Sequence, residues 1–196
     1  MTDLPLAGDA EALYMACPSG PAAQLAAQLS AMSPPGPLLE LCCGVGGLTR
    51  ELARELARAG REVVAVDQSL ERLQANRANL AALGLERRVS YLCCDLRRPA
   101  LRAPEGPPSF AASLLDPDWS PPEQTPDQWT GKLANMDPPA DELIRLGLEL
   151  SSLVVIRLPR AIRGDSLKSV SPGLVSRKMG VGGKGWRWMA LQKGLP

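Results

Sequence analysis

The sequence predicts an α/β fold: a doubly wound, mostly parallel sheet with helices on both faces and a C-terminal antiparallel hairpin. Three observations predict it. Short runs that are almost wholly apolar alternate with segments of helical periodicity, and strands of that kind lie buried on both faces. Successive apolar runs close on an acidic residue or a glycine turn. The last stretch breaks the alternation, with two strand-like segments on either side of a glycine-rich turn.

Taken in order, residues 1–36 form a helical lead-in, and Ala22–Met32 carries apolar residues at helical spacing. Ser19 and Pro21 are its start signals, and Ser33-Pro34-Pro35-Gly36 stops it. Leu38–Cys43 reads as a buried strand running into Gly44-Val45-Gly46-Gly47, then a helix with Leu48, Leu52 and Leu56 on one face. Val63–Val66 is the second strand and ends in Asp67. Ser69 caps the next helix, which stops at Gly84. Val89–Cys94 is the third strand, followed by Asp95, and Phe110–Leu115 the fourth, followed by Asp116-Pro117-Asp118-Trp119. A helix over Pro139–Leu150 precedes a fifth strand at Leu153–Ile156. Leu174–Met179 and Trp186–Leu191 make the closing hairpin. Residues 37–196 read as one domain, with no internal repeat.

Composition narrows the chemistry. The 196 residues are 45% hydrophobic and 22% charged, which suits one core-forming domain. There is no histidine, so Ser-His-Asp hydrolysis, Cys-His proteolysis and His-ligated metal sites are excluded. Aromatic residues are few, so the core is expected to be built from Leu, Val, Ile and Ala. The five cysteines, Cys17, Cys42, Cys43, Cys93 and Cys94, have neither the spacing of a zinc site nor the even count of a disulfide framework. They read as reduced, buried thiols of a cytoplasmic protein without a metal. Prolines interrupt the uncharged stretch 12–39, so no membrane span is expected, and the start lacks the basic region of a signal peptide.

Ligands of such sheets bind beyond the carboxyl ends of the strands. Those ends carry Glu40 with Gly44, Gly46 and Gly47, then Asp67, Asp95 and Asp116-Pro117. The glycine turn admits a ligand close to the backbone and exposes amide groups at a helix start. Asp67 lies 21 residues beyond Gly46, the range in which an acid receives ribose hydroxyls. A nucleoside-containing cofactor is the expectation. NAD fits less well, because Thr49 stands where its fingerprint has a third glycine.

Glu40-Leu41-Cys42-Cys43-Gly44-Val45-Gly46-Gly47 resembles motif I of class I S-adenosylmethionine-dependent methyltransferases, which have a Rossmann-like fold; Cys42 stands where the first glycine is usual. Within that class, Cys43–Gly47 followed by Thr49 is similar to the RNA cap guanine-N2 methyltransferases of the trimethylguanosine synthase type. Asp116-Pro117-Asp118-Trp119-Ser120-Pro121 falls where that family has Ser-Pro-Pro-Trp-Gly-Gly, and Leu158-Pro159-Arg160 resembles its Leu-Pro-Arg-Asn. The likeness spans roughly Pro37 to Arg160. Asp118, Ser120 and Ala161 depart from the pattern.

The resemblance implies S-adenosylmethionine as cofactor and methylation of an exocyclic base amine, guanine N2 of RNA above others. It implies that Gly44, Gly46 and Gly47 face the methionine part, Glu40 its amino group, Asp67 the ribose and Asp95 the adenine amine. Cys42, Gln68 and Leu96, beside them, complete the implied cofactor set. Asp116 and the Pro117 carbonyl would accept hydrogen bonds from the amine, and Trp119 would stack on its base. Each also has a plainer reading: Asp95 as a turn cap, Asp116-Pro117 as a turn starter, Trp119 as a lid over the core. Trp186 and Trp188, two apart in a strand, share a face and read as core.

The net charge of +1 conceals a split. Residues 151–196 hold nine basic residues against Asp165 alone, which is +8, and leave −7 on residues 1–150. The basic segment reads either as solvated surface or as a patch for phosphates of an RNA or nucleotide substrate, which Arg87, Arg88, Arg97, Arg98 and Arg102 would extend. The chain thus reads as an RNA methyltransferase. The alternatives are a catalytically degenerate cofactor- or RNA-binding module and a methyltransferase of small molecules or protein.

Overall fold

A computed structural model describes residues 4–98, 109–119, 131–183 and 185–193. The Pro99–Pro108 loop, with Arg102, and the segment containing Ser120, Pro121 and Trp129 lie outside them, as does Lys184. Seven strands form one sheet: β1 (Leu38–Leu41), β2 (Val63–Asp67), β3 (Val89–Cys93), β4 (Ala112–Leu115), β5 (Val154–Pro159), β6 (Leu174–Gly182) and β7 (Trp186–Lys193). Their order is β3-β2-β1-β4-β5-β7-β6. The first five run parallel, and β7 lies antiparallel to both β5 and β6. The predicted α/β architecture is therefore present, Rossmann-like and with its closing antiparallel pair.

The apolar strands are explained by alternation across the sheet. Leu38, Val63, Ala65, Leu114, Val155 and Trp188 face one side. There they meet α2 (Ser19–Met32), α3 (Gly47–Ala57) and α4 (Leu70–Ala81) through Leu25, Leu29, Leu48, Leu52, Leu56, Leu73 and Leu80. Leu39, Leu41, Leu115, Ile156 and Leu191 face the other side, against α5 (Ala140–Leu150) and α6 (Gly164–Lys168) through Leu143, Ile144, Leu148 and Leu167. With apolar neighbours on both faces, the interior strands have no solvated side to mark with polar residues. Trp188 is completely buried and meets Trp186 edge to face at 6.4 Å.

Helix boundaries follow local chemistry. The Ser69 hydroxyl accepts from the Arg72 amide and caps α4, as the sequence predicts. The helix α2 starts three residues before the predicted Ala22, because Pro21 falls in the first turn, where amide hydrogens have no partner within the helix. An additional helix, α1 (Ala10–Met15), was not expected. Its start is capped by Asp9, whose Oδ1 accepts from Ala12 N at 2.7 Å.

The lead-in is stitched to the glycine turn. Asn79 of α4 exchanges hydrogen bonds with both backbone groups of Ala7, at 2.8 and 2.9 Å, and also donates to the Val45 carbonyl at 2.9 Å. Buried Arg50 donates to the Leu4 carbonyl, and Arg72 pairs with Glu11. Asn79→Ala, which removes three bonds around one buried amide, is expected to cost about 1–3 kcal/mol. Amide hydrogen exchange should then accelerate in residues 7–17 before anywhere else. Unchanged exchange there would rule out this anchoring.

Candidate active site

The parallel strands end together in register: Leu41 of β1 is level with Val66 of β2 and with Leu115 of β4. The residues that follow those ends surround an open cleft of about 900 Å³, mouth included. Glu40, Cys42, Gly44, Gly47, Asp67, Gln68, Leu96 and Asp116 all line it. Gly46 lies behind the turn, where a Cβ would meet the Asn76 amide at 2.5 Å. Among the described residues, Asp95, Pro117 and Trp119 lie outside the lining.

The turn is shaped by its backbone. Cys42, Gly44 and Gly46 all have positive φ, at 63°, 52° and 93°. Cys42 is the one described residue other than glycine that does so, at the position where motif I usually has glycine. Buried Asn76 holds the turn from behind, donating to the Gly44 carbonyl at 3.3 Å and to Thr49 Oγ1 at 3.0 Å. The Gly44 amide donates to Asp67 Oδ2 at 2.8 Å, and Asp67 Oδ1 accepts from Ser69 N at 2.9 Å. Asp67 is thereby fixed at the mouth of the cleft. No atom lies within 4 Å of a Cβ added at Gly44, which leaves the turn open to a ligand.

Glu40 is buried, and its Oε2 meets no donor. Burial pushes its carboxyl up to about 8; hydrogen bonding to Thr49 pulls the other way, and the nearby Asp116 and Asp67 push it further up. Glu40 is therefore mostly protonated at pH 7. A ligand ammonium reaching it would supply the missing donor and favour the carboxylate, which releases a proton. The cofactor affinity should accordingly rise with pH between about 6 and 8. Calorimetry in two buffers of different ionisation enthalpy should show proton release on binding at pH 7; identical heats would refute it.

Asp116 follows β4, its carboxyl raised by burial to about 6, with Asp118 adding repulsion and Arg157 opposing the shift. Arg157 Nε lies 2.7 Å from Asp116 Oδ1 as an ion pair, although the N–H is not aimed along that oxygen. Arg157 also sits over the rings of Trp119 and Trp186, with its guanidinium carbon 4.8 and 5.4 Å from their centroids. Trp119 is thus buried beneath a guanidinium and among the core residues of the α5 side. The Asp118 backbone is tied to that of Asp137 by two bonds, of 2.8 and 3.0 Å. The Asp95 carboxylate accepts from Arg97 through backbone and side chain, and Arg97 also reaches Gln68. These hydrogen bonds hold Asp95 below the usual carboxylate range.

Several cleft residues were not among the site residues expected from the sequence. Met15, Ala16 and Cys17 from α1 and its exit form one wall, and Asp118, Asp137 and Arg157 face it. Burial pushes the Cys17 thiol up to about 12, so it is an inert wall group at neutral pH. An arginine inside the apolar strand Val154–Pro159 is the one available signal for Arg157. Among the described residues no helix is long and apolar enough to cross a membrane, and no cluster of three or more His, Cys, Asp or Glu side chains is arranged to hold a metal.

Residues 38–125 match the family model described as a methyltransferase domain. TomG, an O-methyltransferase from Streptomyces achromogenes involved in tomaymycin synthesis and solved in complex with SAM, is similar over 98% of this chain and 93% of that one. The identity is 19% and the TM-score 0.63. Cofactor-bound Rv0187 from MTB covers 93% of this chain and 87% of its own at 21% identity, with TM-score 0.62. A candidate RNA methyltransferase from Pyrococcus horikoshii covers 90% and 84% at 13% identity, with TM-score 0.57.

The domain match over residues 38–125 and the Rossmann-like sheet support a methyltransferase that uses S-adenosylmethionine. Its cofactor is S-adenosylmethionine, and the cleft fits that molecule: the carboxylates of Glu40, Asp67 and Asp116, an orphaned Glu40 oxygen and an open glycine turn suit a ligand bearing an ammonium and a sulfonium.

Proposed function

We propose that the protein methylates an exocyclic amine of a nucleobase, in RNA and at guanine N2. The observation that carries this reading is Asp116, a carboxylate at the end of β4 that lines the same cleft as Glu40 and Asp67. S-adenosylmethionine supplies a methyl group already activated by its sulfonium, so the protein needs to align the acceptor rather than generate a strong base. Asp116, ionised above about pH 6, accepts one N–H of the amine and leaves the nitrogen lone pair directed at the methyl group. The Pro117 carbonyl takes the second N–H, and Asp116 is placed to take the proton that the methylated nitrogen gives up. In this reading Glu40, Gly44 and Asp67 hold the methionine and ribose portions, with Gln68, Leu96 and Asp95 toward the adenine.

The choice of RNA rests on the resemblance over Cys43–Thr49 and Leu158–Arg160, and on exposed basic residues. Arg160 and Arg163 follow β5 at the strand-end rim, and Arg177 and Lys178 lie exposed on β6. The five cysteines are free, which suits work in the cytoplasm, but they are not all buried as the sequence suggests: Cys93 is exposed, because it lies on the edge strand β3. Small-molecule methylation is the second reading, favoured by the position of Trp119, whose ring lies against Arg157, and by the likeness to TomG.

Incubation with methyl-labelled cofactor and separate pools of RNA, protein and small metabolites tests the proposal. Label is expected in RNA, on a base that nuclease digestion releases as an N-methylated guanosine. Label confined to metabolites or protein overturns it. Cofactor binding without turnover on any pool, together with RNA binding that survives Asp116→Ala, would instead establish a binding module.

A further inference from the structure

The buried guanidinium of Arg157 connects two parts of the site that lie far apart in sequence. Its Nε is paired with Asp116, and its Nη2 donates to the Met15 carbonyl at 2.9 Å, at the end of α1. Trp119 and Trp186 hold the guanidinium in place. Met15, Ala16 and Cys17 form a wall of the cofactor cleft, and the backbone of Cys17 comes within 2.8 Å of a Cβ built at Gly47. One rigid, planar group thus touches the residue assigned to the acceptor amine and the segment that encloses the cofactor.

We propose that Arg157 is a positioning residue that couples closure of the 10–17 segment over the cofactor to the orientation of the Asp116 carboxylate. The proposal rests on the reading of Asp116 as the amine acceptor. Charge distribution supports it. The cleft is lined by Glu40 from β1, Asp67 from β2, Asp116 and Asp118 after β4 and Asp137 before α5, with the neutral thiols of Cys17 and Cys42 beside them. Two guanidinium groups in the lining, Arg72 and Arg157, offset these carboxylates, and Arg97 reaches Asp137 from outside it; Arg72 is paired with Glu11. Arg157 is therefore the cation that keeps Asp116 ionised beside Asp118. Lysine cannot replace it fully: one ammonium lacks the planar fork that reaches a carboxylate and a carbonyl while stacked between two indoles.

Two variants and two readouts test the coupling. In Arg157→Gln the acid limb of kcat/KM should move up by about one pH unit or more, because the cation facing Asp116 is gone. In the cofactor-free protein, amide exchange of residues 10–17 should rise by about tenfold or more. In Arg157→Lys the acid limb should stay near that of the parent while the exchange still rises. Arg58→Ala, on an exposed ion pair of α3 with Glu55, should change neither. Unaltered exchange in both Arg157 variants overturns the coupling, and so does an acid limb that ignores loss of the charge. Should Asp116→Asn retain full turnover, the reading of Asp116 fails instead; the exchange measurement separates that outcome, because it needs no turnover.

Discussion

Asp116→Asn is expected to lower kcat on the order of 10²–10³-fold while changing cofactor affinity only slightly. The substitution keeps the shape of the side chain and removes the charge proposed to accept the amine proton. Cofactor contacts are assigned to Glu40, Gly44 and Asp67, which lie on β1, the glycine turn and β2, so binding should survive. A pH profile gives the same test without mutation. Burial raises the Asp116 carboxyl to about 6, and the protonated form donates where the reaction needs an acceptor. The value of kcat/KM should therefore fall about tenfold per unit below pH 6. Stability runs the opposite way for this group. Between about pH 4 and 6 the folded protein holds a proton that the unfolded chain has released, so the contribution of Asp116 to folding declines as pH rises through that window. Rapid turnover by the Asn variant, or activity flat to pH 5, would refute the assigned role.

Gly46→Ala should be the most damaging small substitution in the glycine turn. The residue has φ of 93°, which strains any L side chain by about 1–2 kcal/mol. The new methyl would also stand 2.5 Å from Asn76 Oδ1 and 2.7 Å from its Cγ. Asn76 cannot retreat without losing Gly44, Thr49 and the Tyr91 hydroxyl, which donates to its Oδ1. The sum is a loss of about 3–4 kcal/mol, or about 10 °C in Tm for a chain of this size. Cofactor affinity should drop with it, because the Gly44 backbone would turn away from Asp67. Thermal unfolding with and without S-adenosylhomocysteine measures both; an unshifted Tm would contradict the close packing of Asn76.

The inner parallel strands β1, β2, β4 and β5 were legible because each announces itself as an apolar run that ends at the rim where ligands bind. Glu40, Asp67 and Asp116 were legible for the same reason: strand ends converge whatever the intervening loops do. Asp95 was legible as a strand-end acid but not as the partner of Arg97, a pairing over two residues that competes for the same carboxylate. Trp119 shows a second limit. Its sequence neighbours align it with a stacking platform, whereas the face it presents depends on Arg157, which is 38 residues later and on another strand. The α1 wall was hidden because a six-residue helix has too little periodicity to read. Asp9, with Ala12 three residues later, is its one local mark.

The bond between Met15 and Arg157 closes a loop of 142 residues. Its consequence concerns synthesis. When Glu40, the glycine turn, Asp67 and α4 have left the ribosome, the lead-in can fasten to Arg50, Arg72 and Asn79, but its Met15 end has no Arg157 to meet until β5 emerges. The Met15 end of the wall therefore depends on a contact of far longer sequence separation than the rest of the lead-in.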